Sequence, residues 1–306
     1  MLRASGGSGV SSFNSRTGAV IQTSGDVTTA LGFTPLNPAN NLADVNNAQA
    51  ALNSLGGVVR SYISGLTLSN DGATPNSVLD IAAGQAADSG NTAMISIGAF
   101  TKSTAGAWAA GSGSNGMGNG LSVANSTWYH VILASNGGTP DIYFDTSATG
   151  ANRPSGISDT KVRRIGSFLT DGSAHIVAFK QVGDTFYWSA IVQDLNNYTL
   201  AVNPGELKTF TIPTGVPVRM ISRWGTTNGS LHAHILSPNE TAVAVPTSVI
   251  GTNGSDLDGT TEPTLFTGTA ALYSNTIGQY LIVGQATSSG VYEWTRGWVD
   301  DRGRFN

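Results

Sequence analysis

Short runs in which apolar and polar residues alternate, rich in β-branched and aromatic side chains, dominate the chain from Tyr62 onward. Residues 77–82, 127–133, 141–145, 175–179 and 185–188 have this pattern, which predicts strands. Turn dipeptides separate them: Asp71-Gly72, Asn136-Gly137, Asp171-Gly172 and Gly183-Asp184. A second series follows Asn196-Asn197, at residues 207–212, 218–224, 231–235, 280–283 and 291–298, with turns at Asn228-Gly229 and Asn253-Gly254. No amphipathic helical window lies between the strands. The pattern therefore predicts an all-β body, an antiparallel β-sandwich or jelly roll rather than βαβ units.

Residues 1–57 break the pattern. They contain no Trp or Tyr and only four charged residues, Arg3, Arg16, Asp26 and Asp44, too little material to bury a core in a monomer. Within them Asp44 can cap a short helix whose apolar residues Val45, Ala48, Leu52 and Leu55 fall at spacings of three, four and three, closed by Gly56 and Gly57. Such a seam predicts self-association, because so short a helix is marginal in water by itself. The competing expectation is a helix docked on the chain's own β domain. Three regions follow: a connector at 1–57 for attachment and trimerisation, a first β-sandwich region at 58–195 and a second β-rich region at 196–306, the last either a second sheet layer of one large sandwich or a second small domain. Residues 105–120, almost wholly Gly, Ala, Ser and Asn around Trp108 and Met117, read as a loop that is either exposed and mobile or, the preferred reading, packed closely against a neighbouring subunit.

Composition narrows the functional classes. Only 11% of the 306 residues are charged and the net charge is -4, so no basic footprint for nucleic acid or anionic membranes is present. No apolar run is long enough for a membrane helix, and the first ten residues lack the apolar core of a signal peptide. A soluble chain that is not exported by a signal peptide is expected. Cysteine is absent, which removes disulfides and thiolate chemistry.

The stretch Phe13-Asn14-Ser15-Arg16-Thr17-Gly18-Ala19-Val20 resembles a motif of tail fibre and tail collar proteins of bacteriophages and prophages. The likeness continues through residues 26–35 and 37–45. It departs from the family at Ser15, where Gly is usual, and at Phe33, where Tyr is common. This resemblance implies a connector wound with two identical chains, linking a receptor-binding head to the tail. Residues 65–72, 108–113, 163–168 and 297–303 look like pieces of the variable distal domain of such proteins. Residues 127–131 followed by 141–144 are similar to paired strands of laminin-G-like and concanavalin-like jelly rolls, a lectin-like fold.

Candidate chemistry is sparse. Tyr292, Trp294, Arg296 and Trp298 alternate onto one predicted strand face that could stack on sugar rings if exposed, although an inter-sheet or inter-subunit core is the preferred reading, and Trp224 is a comparable candidate near a loop tip. His232 and His234 would point to one face of a strand. They are similar to metal-binding His-x-His repeats in phage fibre tips, but the pair occurs once with one extra residue before it, and two ordinary histidines are the preferred reading. Residues 253–259 gather Asp256, Asp258 and a turn glycine as a calcium loop would, but the trailing Glu is missing and a turn is the preferred reading. Asp141 with Asp145, and Asp300 with Asp301, are the carboxylate pairs a hydrolase would need, but neither has a neighbouring His or a pocket signal. No catalytic residue, metal or cofactor is assigned.

The expectation is a homotrimeric tail fibre of the virion, assembled in the bacterial cytoplasm. Its N-terminus would attach to the tail, the baseplate or a preceding fibre protein. Its body would bind a host surface glycan by multivalency, without membrane insertion. A connector without receptor binding, or a surface-polysaccharide depolymerase, are the rival expectations.

Overall fold

The structure, a computed structural model, describes residues 12–13, 16–17, 23–32, 45, 51, 59–158, 160–202, 204–226, 231–239, 256–259, 266–269, 272–284 and 290–304. The chain divides into two compact units, Met1–Leu55 and Gly56–Asn306.

In the first unit, β1 (Ser12–Phe13) and β2 (Arg16–Thr17) pair antiparallel, Phe13 opposite Arg16. The helix α1 spans Ser24–Leu31, where no helix was expected. Its start is fixed by Thr23 and Asp26: the Asp26 carboxylate accepts the Thr23 backbone N–H at 2.7 Å and its hydroxyl at 2.9 Å. Its end is Gly32, left-handed at φ 73°, which returns its N–H to the Thr28 carbonyl. Of the helix predicted after Asp44, Ala51 is described and has helical backbone. Val45 is described outside any helix or strand, and Ala48, Leu52 and Leu55 lie outside the described residues.

The second unit opens with β3 (Ile63–Gly65), β4 (Leu68–Asn70), β5 (Val78–Ile81), β6 (Gly84–Ala87), β7 (Met94–Ile97), β8 (Phe100–Ala107) and β9 (Ser114–Met117). It continues with β10 (Trp128–Asn136), β11 (Thr139–Asp145), β12 (Val162–Leu169), β13 (Phe179–Val182), β14 (Thr185–Tyr198) and β15 (Glu206–Thr209). It closes with β16 (Arg219–Thr226), β17 (Leu231–Leu236), β18 (Asp256–Gly259), β19 (Phe266–Thr269), β20 (Gln279–Gly284) and β21 (Val291–Val299). Twelve of these strands form one sheet in the order β12-β10-β11-β9-β8-β5-β4-β13-β14-β21-β16-β19. Smaller sheets have the orders β15-β20-β17-β18 and β3-β6-β7. The unit is all-β, and one buried cluster draws residues from all three sheets, among them Ile95, Phe186 and Tyr280, as in packed sheet layers.

Three expectations change. The boundary at 195/196 falls inside β14, and β14 pairs directly with β21. Regions 58–195 and 196–306 therefore share one sheet. Residues 105–120 are not one loop: the end of β8 and all of β9 lie there as parallel neighbours. Small residues are needed for packing inside this chain, since a Cβ at Gly116 would sit 3.1 Å from the Phe144 ring. Asp256 and Asp258 stand in a strand rather than a turn. The Asn136-Gly137 turn is confirmed, with Gly137 and Gly138 both at positive φ between Asn136 and Thr139.

Candidate functional site

Strand β21 runs between β14 and β16, and its side chains alternate in burial. Val291, Glu293 and Thr295 are buried on one side, while Tyr292, Trp294 and Arg296 are half-buried on the other. The rings of Tyr292 and Trp294 stack, 5.8 Å apart and 13° from parallel. Arg223, opposite Trp294 on β16, holds its guanidinium 5.7 Å from the Trp294 ring. On β14, Gln193 pairs with Trp294 from the other side. Tyr187 and Ile191 of the same strand are exposed. The result is a half-buried stacked aromatic pair with a cation beside one ring and Gln193 in register on the flanking strand.

Trp298 does not belong to it. The pairs Ile221↔Gly297 and Ser222↔Thr295 leave Arg296 as an extra residue on β21, a β-bulge. One inserted residue inverts the alternation, so Trp298 turns inward and is fully buried. There it stacks on Phe186 at 5.0 Å and 5°, with Trp188 at 4.9 Å and Trp128 edge-on at 5.4 Å. Gly297 makes the bulge possible, because a Cβ there would collide with the Phe186 carbonyl oxygen. Trp224 is also corrected. It lies inside β16 rather than at a loop tip and is 1% exposed, with its indole N–H donated to Ser222 Oγ at 2.9 Å. Neither tryptophan can meet a ligand. Tyr292, Trp294 and Arg296 remain together on the outward face.

Asp141, Asp145, Asp300 and Asp301, the two carboxylate pairs named from sequence, all have partners. Asp141 lies 2.9 Å from Lys102 Nζ in a fully buried pair, and it also accepts the Gly111 and Ile142 N–H groups. Burial pulls the Lys102 ammonium down despite this carboxylate. Asp145 accepts N–H groups from Ser147 and Asn152. Asp300 forms two 2.6 Å bonds with Arg164, whose charge with the hydrogen bonds holds its carboxyl low against burial. Asp301 accepts the Tyr273 hydroxyl and lies 3.9 Å from Arg219.

Sequence reasoning missed two buried groups. His130 is buried against Ser167, at 2.9 Å from its Nδ1, and burial with the Arg164 charge pushes it down to about 4. Glu293 is fully buried and pushed well up by burial first and then by Asp194, with which it shares the Thr295 hydroxyl. Only their strand positions, which set burial, could have revealed them.

His232 and His234 lie on β17 opposite Asp258 and Asp256 in register. Among the described residues no group of three or more His, Cys, Asp or Glu side chains converges as a metal site. No described helix is long and apolar enough to cross a membrane.

No protein-family model matches this chain, and no curated protein or solved structure matches it either.

Proposed function

We propose that the chain is a subunit of a homotrimeric bacteriophage or prophage tail fibre whose β body binds a glycan on the host surface. Residues 1–57 attach it to the tail, the baseplate or a preceding fibre protein, and the Val45, Ala48, Leu52, Leu55 seam joins three copies. The body acts as a lectin-like, jelly-roll-type head, and the protein resides in the virion tail. Each sugar contact is weak and is multiplied by three chains per fibre.

The observation that carries the receptor-binding part is the stacked Tyr292 and Trp294 pair, held outward on β21 with Arg223 beside it. A sugar presents C–H groups on its ring faces and hydroxyls at its rim, and this surface offers rings flanked by hydrogen-bonding side chains. Support for the tail-fibre part comes from the resemblance of residues 13–45.

Two measurements test the reading. Light scattering of the full chain should give three times the monomer mass, and Leu52→Asp with Leu55→Asp should lower it. A monomeric full chain would overturn the fibre. Binding of the full chain to a panel of immobilised, purified bacterial surface polysaccharides should select some members. A chain that binds none of them and does not adhere to bacterial cells would be a connector.

A further inference from the structure

Unit 2 holds a cavity of ≈ 390 Å³ whose wall includes Ser61, Ser89, Asn91, Thr149, Arg163 and Arg302. Arg164 and Arg304 accompany the two arginines, and three of the four have carboxylate partners. Arg164 takes both oxygens of Asp300. Arg302 lies 2.8 Å from one oxygen of Asp184, and Arg304 bonds the other. Arg163 stands apart. It is 4% exposed, and its Nε and Nη2 have no hydrogen-bond partner.

The remaining carboxylate near enough to act on Arg163 is Asp88, and its oxygens are taken by its own loop. Oδ1 accepts the Thr92 and Ala93 N–H groups, and Oδ2 accepts the Gly90 N–H and the Thr92 hydroxyl. Burial and the neighbouring guanidiniums of Arg164, Arg302 and Arg304 all work against the Arg163 charge, yet a guanidinium does not lose its proton in a protein. A buried cation whose nearest carboxylate bonds elsewhere, leaving two of its N–H groups without an acceptor, is a costly group for a fold to keep.

The geometry of the free atoms indicates what fits. Nε–H and Nη2–H lie along one edge of the planar guanidinium, the edge that matches two oxygens of a carboxylate or phosphate. The guanidinium ends beside Gly303, where an added Cβ would be 3.7 Å from its Cζ, and Gly303 is part of the cavity wall. Asn91 accepts the Ser61 N–H at 2.6 Å through Oδ1, which leaves its NH2 group as a second donor at the wall.

We propose that this cavity is an oxyanion site in which the Nε/Nη2 edge of Arg163 holds the carboxylate or phosphate of an acidic or phosphorylated surface sugar. Both nitrogens are buried, so the entering group displaces the wall at Gly303. The sugar assignment rests on the receptor-binding reading above; the oxyanion site does not.

The test is thermal unfolding of the full chain with sodium glucuronate or inorganic phosphate, against sodium chloride at equal ionic strength. Tm should rise with the logarithm of the anion concentration, as for any ligand bound only by the folded state. The rise should vanish in Arg163→Met and shrink in Arg163→Lys, which keeps the charge but loses the fork. If Arg163→Met does not fold, Arg163→Lys carries the comparison. A larger shift with glucuronate assigns a carboxylate sugar, and a larger shift with phosphate a phosphorylated one. No shift with either anion, or the same shift in both variants, overturns the site. A Tm that follows protein concentration instead of anion also overturns it, making the partner an acidic side chain of a second copy. Polysaccharide binding separates the two claims. Arg163→Lys should bind at least tenfold more weakly than wild type. Unchanged binding overturns the sugar assignment and leaves the β21 face intact, whereas a wild type that shows the Tm shift but binds no polysaccharide sinks the receptor reading instead.

Discussion

The two ends of β21 carry the same residue type to opposite fates. Trp294 stands on the outward face, stacked on Tyr292 and approached by Arg223. Trp298, four positions later, is fully buried among Phe186, Trp188 and Trp128. Nothing in the side chain decides this. The difference is the single extra residue at Arg296, allowed by the missing Cβ of Gly297. The inner end supplies cohesion, since each large apolar side chain buried contributes about 2–3 kcal/mol. The outer end leaves its rings available to another molecule.

The comparison is sharpest in stability. Trp298→Ala should cost about 3–5 kcal/mol in urea unfolding, as for aromatic truncation in a core, while Trp294→Ala should cost less than about 1 kcal/mol. Equal losses would mean that the two faces are not distinct. Gly297→Ala attacks the bulge itself. Its methyl group would strike the Phe186 carbonyl, so a loss of more than about 1 kcal/mol is expected, together with a change in tryptophan fluorescence as Trp298 is displaced.

Glu293, inward beneath the aromatic pair, gives the inner face a pH signature. Its folded-state carboxyl is held protonated well above 4.5 by burial and by Asp194. The folded protein then binds more protons than the unfolded chain above that pH. Stability should therefore fall as pH rises, by up to about 1.4 kcal/mol per unit, until the folded group ionises. Glu293→Gln should flatten that slope in urea unfolding across pH 5–9, and an unchanged slope would place its origin elsewhere. The smallest stability effect belongs to Arg223→Met. It should alter unfolding by less than about 1 kcal/mol while weakening polysaccharide binding measurably.

Strands β5, β10, β11, β14–β17, β20 and β21 were legible in the sequence because alternation and turn dipeptides are local signals, whereas β3, β4, β6–β9, β12, β18 and β19 were not foreseen and the run at 175–179 falls almost wholly before β13. The co-facial set Tyr292, Trp294 and Arg296 followed from period two. Trp298 was misplaced because a bulge is set by pairing partners distant in sequence. The Gly at 297 was its only local trace. Trp224 was drawn to a loop tip by the nearby Asn228-Gly229 turn, although its strand continues to Thr226. The helix α1 did leave a signal, Thr23 followed three residues later by Asp26, but its apolar residues Val27, Ala30 and Leu31 cover little more than one turn of eight residues, too short a stripe to set a period. Arg163 was invisible as an unpaired cation, since its neighbours' partners, Asp184 and Asp300, come from remote strands and turns.

The most direct test of the central claim is the binding of wild-type and Trp294→Ala full chains, at matched oligomeric state, to a polysaccharide that wild type recognises. Trp294→Ala should bind at least tenfold more weakly, a loss of about 1.4 kcal/mol or more, with its Tm within a few degrees of wild type. Undiminished binding by Trp294→Ala would contradict the account, because recognition would then lie away from the outer face of β21.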